Sequence, residues 1–340
     1  MQITYSPAYT LVPTYECFNR CTYCNFRQDP GQSSWMTLEE ATQILRSLSD
    51  SGTIEILILS GEVHPHSSRR AAWFDRIYEL CELALSWGFL PHTNAGPLSR
   101  EEMAKLKQVN VSMGLMLEQL NPYLEVHRHA PSKAPKLRQQ QLEWAGELGI
   151  PFTTGLLLGI GETEEDWQET LIEIDRLYQK WGHIQEVILQ PHSPGSQQSI
   201  TREAFQLDCL PKVVQLARQI LSPEIAIQIP PNLVQTPEVL LACLQAGATD
   251  LGGIGPRDEV NPDYPHPYHL ALADLLEPAG WKLVRRLPIY PQYDSGLEEN
   301  LQERVRQWRS KIDNNIKFIK QTPIHSDERP HFAEWQELQN

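Results

Sequence analysis

Short apolar or β-branched segments alternate with amphipathic helical patterns along most of this chain of 340 residues. Eight segments have the length and composition of strands, and a helical pattern follows each of them. They span residues 9–13, 54–60, 89–94, 111–117, 151–159, 184–190, 225–229 and 249–254. Several are apolar with little alternation, which is typical of parallel strands whose two faces are both covered.

The order of these segments predicts an α/β fold. Eight strand–helix units in succession favour a (β/α)8 barrel of the TIM type, with a doubly wound open sheet as the alternative. We expect residues 1–260 to form the barrel and residues 261–340 to form a C-terminal extension packed on it. The extension has two helical patterns and one strand-like run at 281–286, and from about residue 321 we expect loose structure.

Helix starts can be read at three of the connections. Thr37 with Glu40, and Ser99 with Glu102, have the spacing of capping boxes in front of apolar helical repeats. Thr163 precedes an acidic first turn, which the helix dipole favours. These signals predict helices after the first, third and fifth strands.

The charge of the chain limits the partners that we expect. Its formal net charge is −14 and its sequence pI is about 5.3, so its field repels phosphate backbones and anionic lipid headgroups. It has no run of five or more Lys or Arg, and no stretch near the roughly 18 apolar residues of a spanning helix. Its polar start gives no sign of a signal peptide. We therefore expect no nucleic-acid partner, no membrane partner and a cytoplasmic location.

Three of the six cysteines lie within eight residues, which is not the pattern of a secreted disulfide framework. Cys17, Cys21 and Cys24 follow the first predicted strand, at the end of a barrel strand where active sites lie. Thiolates at this spacing can hold three irons of a [4Fe–4S] cluster and leave the fourth iron open. The alternatives are a zinc site completed by His64 or His66, and three thiols without any ligand.

The other cysteines have different contexts. Cys81 and Cys243 lie in helical patterns, and Cys209 lies just before Pro211. Cysteines that hold a second cluster inside a barrel would lie on strands. We therefore expect these three to be small buried apolar groups.

The cysteine motif resembles the signature of the radical S-adenosylmethionine (SAM) superfamily, C-x3-C-x-(aromatic)-C after the first barrel strand. The resemblance implies that the open iron binds the amino and carboxylate groups of SAM. It also implies that one electron, from a donor such as flavodoxin or ferredoxin, releases a 5′-deoxyadenosyl radical. Tyr23 occupies the aromatic position, where the backbone lies against the adenine in this superfamily.

Two further elements resemble SAM-binding parts of the superfamily. Ser60, Gly61 and Glu62 end the second predicted strand and resemble its G-G-E element, whose backbone holds the methionine amine. Glu62 could add a charge-assisted contact to that amine. Arg138 matches an arginine that binds the methionine carboxylate in close relatives. The alternatives are a turn with a solvated glutamate and an arginine on a solvated helix face.

The end of the fifth predicted strand resembles the superfamily motif G-x-I-x-G-x-x-E in part, because Glu162 comes one residue early. The resemblance implies that the backbone at Gly159 and Gly161 contacts the adenine, with Glu162 beside them. A dinucleotide fingerprint is poorly supported because its third glycine is missing. A tight strand–helix turn is the alternative, and both descriptions can hold together.

Five polar residues stand at or just beyond the ends of other predicted strands, where a barrel presents substrate contacts. They are Asn94, Glu118, Gln190, His192 and Asn232. We predict that they bind the substrate. The alternative for each one alone is a capping or loop residue.

Longer segments resemble one family within the superfamily, the deazaflavin synthases that make the chromophore of coenzyme F420. The matching segments are 6–11, 91–94, 151–163, 230–233, 252–254, 260–262 and 286–291. Together they cover residues 5 to about 293, with Gly255-Pro256 in place of an expected Ser-Pro.

This resemblance implies a carbon–nitrogen lyase. A second subunit, itself a radical enzyme, joins tyrosine to a ribitylamino-uracil, and a chain of the present type takes a hydrogen from that adduct, closes the ring and releases ammonia. Rival hypotheses within the superfamily are the adduct-forming partner subunit and a menaquinone-pathway cyclase. A cluster-bearing accessory protein without turnover and a zinc-stabilised binding module are the rivals from other classes.

Overall fold

The structure, a computed structural model, describes residues 2–200, 202–234 and 236–319, with side chains to residue 312. The strands in these ranges are β1 (Gln2–Leu11), β2 (Glu55–Leu59), β3 (Leu90–Asn94), β4 (Ser112–Gly114), β5 (Phe152–Leu158), β6 (Ile184–Pro191), β7 (Ala226–Gln228), β8 (Asp250–Ile254) and β9 (Lys282–Arg285). The α-helices are α1 (Leu38–Ser47), α2 (Arg70–Ser86), α3 (Arg100–Leu106), α4 (Pro135–Glu147), α5 (Glu164–Trp181), α6 (Leu210–Ile220), α7 (Pro237–Gln245), α8 (His269–Leu276) and α9 (Glu299–Ile319).

Strands β1 to β8 form a closed barrel in which every pair is parallel. Each strand pairs with the next one in the chain, and β1 closes the ring by pairing with both β2 and β8. A helix follows each of the eight strands. The predicted (β/α)8 barrel is therefore confirmed, and the doubly wound open sheet is wrong.

The first strand begins earlier than the sequence predicted. The prediction began at residue 9, whereas β1 begins at Gln2 and runs through Pro7, a residue that usually lies outside strand interiors. Pro7 is compatible with this strand because it pairs through its carbonyl, which accepts a hydrogen bond from Ile54 N at 2.9 Å. That contact does not require the backbone N–H that proline lacks. The longer strand pairs with β8 and β9 along its first half and with β2 along its second half.

The three predicted helix starts are confirmed as reciprocal capping boxes. In each one a hydroxyl accepts the N–H of the third helical residue, whose carboxylate accepts the N–H of the capping residue. The pairs are Thr37 with Glu40, Ser99 with Glu102 and Thr163 with Asp166. Among the helices of the described ranges, none combines the length and the apolar character needed to cross a membrane.

The main hydrophobic core lies between the barrel and its helices. Strand residues that face outward, such as Ile56, Ile58 and Val187, are fully buried there. The barrel interior is more polar than the branched apolar filling of most TIM barrels. Its polar side chains include Thr10, Glu55, His92, Thr153, Glu186 and Gln228. The interior therefore has both the space and the polarity to hold a ligand.

The chain beyond residue 260 continues the sheet. β9 pairs in parallel with residues 2–5 of β1, and it coincides with the strand predicted at 281–286. The two predicted helical patterns correspond to α8 and α9. The division at residue 260 stays a prediction, and the loose structure expected from about residue 321 lies outside the described residues.

Helix α9 covers the amino-terminal end of the barrel. Leu301 and Val305 pack in one hydrophobic cluster with Ile54, Leu90 and Val111, which lie at or just before the first residues of β2, β3 and β4. This end is opposite the one where TIM barrels carry their active sites. The opposite, carboxyl end of the strands is thus left for the functional site.

Candidate active site

A cavity of about 320 Å³ lies at the carboxyl ends of the barrel strands, beneath the loop that follows β1. Most of the predicted site residues line it, namely Cys17, Cys21, Tyr23, Cys24, Ser60, Gly61, Glu62, Asn94, Glu118, Arg138, Gln190 and His192. Residues from β2, β3, β4, β6 and α4, or from the turns beside them, thus meet at one place. The predicted residues outside its lining are Gly159, Gly161, Glu162 and Asn232.

Hydrogen bonds hold the cysteine loop between β1 and α1. Cys17 N donates to Gln28 O at 3.0 Å, and Arg20 N donates to His129 O at 2.8 Å. Asn19 Nδ2 lies 3.7 Å from Cys17 Sγ as a donor to the sulfur. These contacts fix the loop so that its three cysteines line the same cavity.

Two thiols of this loop have raised pKa values, although the charge of Lys133 opposes the shift at Cys21. Burial raises the pKa of the Cys17 thiol to about 11, together with the negative charge of Glu62. Burial likewise raises the pKa of the Cys21 thiol to about 12. Without a metal, thiols with such pKa values are protonated at neutral pH and are poor nucleophiles. A metal that displaces the protons suits them better than a redox or nucleophilic role.

The three thiols fit a cluster better than a single ion. In the described part of the chain no group of three or more Cys, His, Asp or Glu side chains is placed to hold one metal ion. In an iron–sulfur cubane each thiolate binds a different iron, so the thiols need not converge on one point. His64 and His66 contact each other, and His64 contacts Phe18, outside the cavity lining. The zinc alternative is therefore disfavoured.

The remaining cysteines lie away from the cavity. Cys81 of α2 and Cys243 of α7 are fully buried in the core between barrel and helices. Asn110 Nδ2 donates to Cys81 Sγ at 3.4 Å. Cys209 packs against the same core just before α6. The positions of Cys81 and Cys243 agree with the expectation of small buried groups, whereas Cys209 is only partly buried.

Ser60 and Gly61 form the turn after β2. Ser60 Oγ donates to Gly61 O at 2.8 Å, and Trp73 Nε1 donates to Ser60 Oγ and to Gly61 O at 3.0 Å each. A Cβ atom on Gly61 would lie 2.2 Å from Glu16 O, so only glycine fits. Because Gly61 has no side chain, this turn packs closely against the protein's own cysteine loop.

Glu62 is held at the cavity wall beside the cysteine loop. Asn19 Nδ2 donates to Glu62 Oε2 at 3.0 Å. The Glu62 side chain packs against Gly96, where an added Cβ atom would lie 2.3 Å from Glu62 Cδ. Glu62 is thus oriented and not freely solvated. Asn19 and Gly96 were not predicted from the sequence, where the only signal was a glycine just beyond the third strand.

Glu118 is the centre of a buried hydrogen-bond network. Its carboxylate accepts from Tyr23 OH at 2.6 Å, from His127 Nε2 at 2.9 Å and from Lys133 Nζ. Burial by itself would raise the pKa of this carboxyl, but the charges of Lys133 and Arg138 hold it well below its usual range. Its backbone φ of +65° is rare for a residue with a side chain. The network therefore holds an ionised carboxylate in an uncommon conformation.

This network also fixes the ring of Tyr23. Burial and the negative charge of Glu118 raise the pKa of its phenol well above the usual value, so the hydroxyl keeps its proton. The ring packs beside Leu157 and Ile160, at the end of β5. Lys133 Nζ lies 5.8 Å from the centre of the ring. Lys133 was not predicted from the sequence, because it lies in an irregular segment between β4 and α4 and not at a strand end.

Arg138 is buried and lines the cavity, so it is not an arginine on a solvated helix face. Its Nε donates to Ser132 O at 3.0 Å, and its Nη1 donates to Met116 O. Nη1 also lies 4.0 Å from Glu118 Oε1. Within the described residues no acceptor binds Nη2. Nε and Nη1 of the guanidinium are thus committed to the backbone, and Nη2 remains for a ligand.

The turn after β5 is organised by Glu162. Its two carboxylate oxygens accept Gly159 N at 2.6 Å and Ile160 N at 2.7 Å, and Trp167 Nε1 donates to Oε1 at 2.8 Å. Gly159 and Gly161 have φ of +88° and +109°, which favours glycine. The tight strand–helix turn is therefore present. An adenine contact stays a prediction here, and it would have to use backbone atoms because the Glu162 carboxylate is occupied.

The predicted substrate residues lie at two depths. Asn94 and Gln190 line both the outer cavity and a second, deeper cavity of about 180 Å³. His192 lines only the outer cavity; burial lowers the pKa of its ring, and its Nε2 has no partner among the described residues. Asn232 lines only the deeper cavity, where its Nδ2 donates to Asp258 Oδ2 at 2.8 Å.

Sequence comparisons agree with the cysteine motif. The family model of the radical SAM superfamily matches residues 11–174. The chain is 67% identical over 311 residues to the 7,8-didemethyl-8-hydroxy-5-deazariboflavin synthase of Nostoc sp. (strain PCC 7120 / SAG 25.82 / UTEX 2576), covering 91% of this chain and 92% of that protein. It is 64% identical over 312 residues to the protein of the same name from Trichodesmium erythraeum (strain IMS101), covering 91% of this chain and 98% of that protein.

Structural comparisons agree with the barrel. The FeFe-hydrogenase maturase HydG from Carboxydothermus hydrogenoformans superposes with a TM-score of 0.71 at 18% identity, covering 99% of this chain and 82% of that one. Methylornithine synthase (PylB) superposes with a TM-score of 0.62 at 16% identity, covering 84% of each chain. At these identities the likeness shows the fold alone.

Proposed function

Because this chain belongs to the radical SAM superfamily and to its family of 7,8-didemethyl-8-hydroxy-5-deazariboflavin synthases, we propose that it is the ring-closing subunit of that synthesis. Its substrate would be the adduct 5-amino-5-(4-hydroxybenzyl)-6-(D-ribitylimino)-5,6-dihydrouracil. The products would be 7,8-didemethyl-8-hydroxy-5-deazariboflavin (FO), ammonia, 5′-deoxyadenosine and methionine. The reaction would thus be a carbon–nitrogen lyase step in coenzyme F420 biosynthesis.

One observation carries this proposal: the cavity lined by the three cysteines continues into a second cavity inside the barrel. Asn94, Gln190 and Ile188 line both cavities. A cofactor bound at the cysteines would therefore adjoin a ligand that reaches down between the strands. Such a space suits a substrate larger than an amino acid.

The cofactor would be held by residues of the outer cavity. Cys17, Cys21 and Cys24 would bind three irons of a [4Fe–4S] cluster. Glu62 and Nη2 of Arg138 would bind the amine and the carboxylate of SAM. When bound, these groups supply the 5′-deoxyadenosyl radical, after one electron arrives from a cytoplasmic donor such as flavodoxin or ferredoxin. Ring closure would then proceed on the adduct.

The chain itself would position the adduct and exclude water. A primary carbon radical abstracts hydrogen from many C–H bonds, so one substrate hydrogen must be held close and competing groups kept away. Asn94 and Gln190 stand at the junction of the two cavities, where they would contact the part of the adduct nearest the cofactor. His192 and Asn232 would contact it above and below that junction. The adduct would come from the second subunit.

The decisive experiment supplies purified adduct to the reconstituted protein with SAM and a reductant, under anaerobic conditions. We expect FO, detected by its fluorescence, together with an equal amount of 5′-deoxyadenosine. Protein with Cys21→Ala serves as the control and should form neither.

A parallel incubation, with free tyrosine and the ribitylamino-uracil in place of the adduct, tests the rival hypotheses. If the adduct is left untouched while free tyrosine is joined to the ribitylamino-uracil, the chain is the adduct-forming subunit. If SAM is not cleaved with either substrate, the accessory-protein hypothesis is favoured.

A further inference from the structure

The deeper cavity is an extension of the outer one and not a separate site. Its volume of about 180 Å³ is smaller than the roughly 300 Å³ that is the lower limit for typical ligand pockets. It shares Leu57, Leu115 and Ile188 with the outer cavity and extends from there to Pro288, in the segment after β9. A ligand in the outer cavity could therefore place one slender end in it.

His92 of β3 presents a hydrogen-bond acceptor to this cavity. Ser112 Oγ donates to Pro288 O at 2.6 Å, so at 2.7 Å it accepts from His92 Nδ1, which must carry the ring proton. Burial and the charge of Arg286 lower the pKa of the His92 ring to about 3, so the ring is neutral and Nε2 has a free lone pair.

The position of that lone pair is well defined. Nε2 of His92 lies over Gly114, where a Cβ atom would be 2.9 Å away. Both residues line the deeper cavity. No side chain or backbone N–H in the described part of the protein donates to His92 Nε2. The acceptor is therefore available to a ligand.

Asn232 provides a second acceptor in the same cavity. Its Nδ2 donates to Asp258 Oδ2 at 2.8 Å and to Tyr264 O at 3.1 Å, which uses both amide hydrogens. Its Oδ1 is buried and has no donor among the described residues. A buried oxygen without a donor is unfavourable, and a ligand hydroxyl that reached it would supply the missing donor.

The buried charges at one side of the cavity wall are balanced within the protein. Arg286 Nη2 binds Asp250 Oδ1 and Glu186 Oε1, each at 2.7 Å. Burial raises the pKa of Glu55, and it raises the pKa of Glu186 well above the usual range. Arg286 is thus paired with acidic groups of the protein and is not free to bind an anionic ligand.

We propose that the deeper cavity binds a neutral polyhydroxylated chain, whose hydroxyl groups donate to His92 Nε2 and Asn232 Oδ1. This inference rests on the proposed function for the identity of that chain, the ribityl group of the adduct. A phenol has one hydroxyl and could satisfy only one of the two acceptors. A uracil ring has N–H donors, but they stand beside its carbonyl acceptors, which would face the same unpaired acceptors of the wall. A polyol has several donors along a slender backbone, so one chain can serve both unpaired acceptors.

The test measures binding without turnover. Reconstituted protein with SAM and no reductant is titrated into FO, whose own fluorescence reports binding through its anisotropy. The same titration uses the deazaflavin that has a methyl group in place of the ribityl chain. We expect the wild-type protein to bind FO at least tenfold more tightly than the methyl analogue.

A matched pair of variants isolates the His92 acceptor. The amide of His92→Asn reaches the position of Nδ1 and keeps the contact with Ser112, whereas the amide of His92→Gln reaches the position of Nε2. We expect His92→Asn to weaken FO binding about tenfold, since a lost hydrogen bond has that magnitude, and His92→Gln to weaken it less than about threefold. Binding of the methyl analogue should be unchanged in both variants.

Other results would overturn the subsite. One such result is that the wild-type protein binds FO and the methyl analogue equally well, or binds neither of them. Another is an equal loss of both ligands in His92→Asn, which would assign the histidine a structural role. Turnover of the adduct is measured separately, so failure of the subsite leaves the proposed reaction standing. Conversely, tighter binding of FO than of the methyl analogue would still support the subsite if the turnover assay failed.

Discussion

Arg286 binds Asp250 through two parallel hydrogen bonds, from Nε to Oδ2 at 2.5 Å and from Nη2 to Oδ1 at 2.7 Å. Asp250 begins β8, whereas Arg286 directly follows β9, so the pair ties the segment beyond residue 260 to the barrel interior. Thr4 of β1 also donates to Asp250, and Arg286 also binds Glu186. The residues after β9 are thus part of the folded barrel and not only an addition to its surface.

Loss of this arginine should therefore destabilise the whole barrel. Arg286→Met leaves the Asp250 carboxylate buried without its partner, and breaking a buried pair in this way costs about 3–5 kcal/mol. Lys282→Met is the control, because that side chain of β9 is exposed and a surface change costs less than about 0.5 kcal/mol. Urea unfolding followed by tryptophan fluorescence measures both. Equal stabilities of the two variants would contradict the integral role of the segment after β9.

The cysteine assignment predicts a clear division in metal content. Cys17→Ala, Cys21→Ala and Cys24→Ala should each lose most of the iron and labile sulfide after anaerobic reconstitution, because a cluster needs all its protein ligands to be retained. Cys209→Ala and Cys243→Ala should keep the wild-type content per folded chain. Iron and sulfide analysis measures this, and loss of the cluster in either control would show that the ligand set is wrong.

Much of the fold was readable because local patterns determine it. The outward faces of the strands and the inner faces of the helices must be apolar, and this produces the alternation from which the eight units were predicted. The pairing of β9 with residues 2–5 was not readable, because it joins segments about 280 residues apart. The early start of β1 was hidden by Pro7, whose fit depends on the partner strand.

Two signals made parts of the candidate site readable, the motifs of the superfamily and the meeting of strand ends at one face. Asn94, Gln190 and His192 were found in this way, because carboxyl ends of barrel strands meet at one face. Lys133 was missed, since only the folded connection between β4 and α4 brings it to Glu118. His92 was missed because it lies inside a strand, and nothing local reveals that it faces the interior. These contacts depend on side-chain directions that a sequence pattern does not contain.

The buried His183 predicts a pH dependence of stability. Burial lowers the pKa of its ring to about 4, whereas an unfolded histidine titrates near about 6.5. Between these values the unfolded chain binds a proton that the folded chain does not, so the free energy of unfolding falls as the pH falls. From about pH 7.5 to about pH 5.5 this one group should account for a loss of about 1.4 kcal/mol.

His183→Gln should remove that part of the pH dependence. The measurement compares urea unfolding of wild-type and variant protein at the two pH values. The difference between the two proteins should change by about 1.4 kcal/mol in favour of the variant at the lower pH. An unchanged difference would mean that the folded protein also accepts the proton.

Glu62 should contribute to SAM binding through its charge. Glu62→Gln keeps an oxygen that can accept from Asn19 Nδ2, so the side chain should keep its orientation while the charge is lost. Loss of a charge-assisted contact in a partly buried site costs about 1.5–3 kcal/mol, or roughly ten- to hundredfold in affinity. Equilibrium dialysis of SAM against reconstituted protein without reductant measures it. Glu125→Gln, an exposed carboxylate of a surface ion pair, is the control and should bind normally.

Arg138 should act at the other end of the methionine group, and its variants separate binding from folding. Arg138→Ala leaves the carbonyls of Ser132 and Met116 without their donor, so it should lower both stability and SAM affinity. Arg138→Lys keeps the positive charge but cannot reach a backbone carbonyl and a ligand carboxylate together as the guanidinium fork does. We therefore expect Arg138→Lys to keep most of the stability and still lose roughly tenfold in SAM affinity. The same equilibrium dialysis measures the SAM affinity of Arg138→Lys. An affinity equal to that of the wild-type protein would mean that Arg138 serves the fold alone. Another cation of the cavity lining, such as Lys133, would then bind the carboxylate.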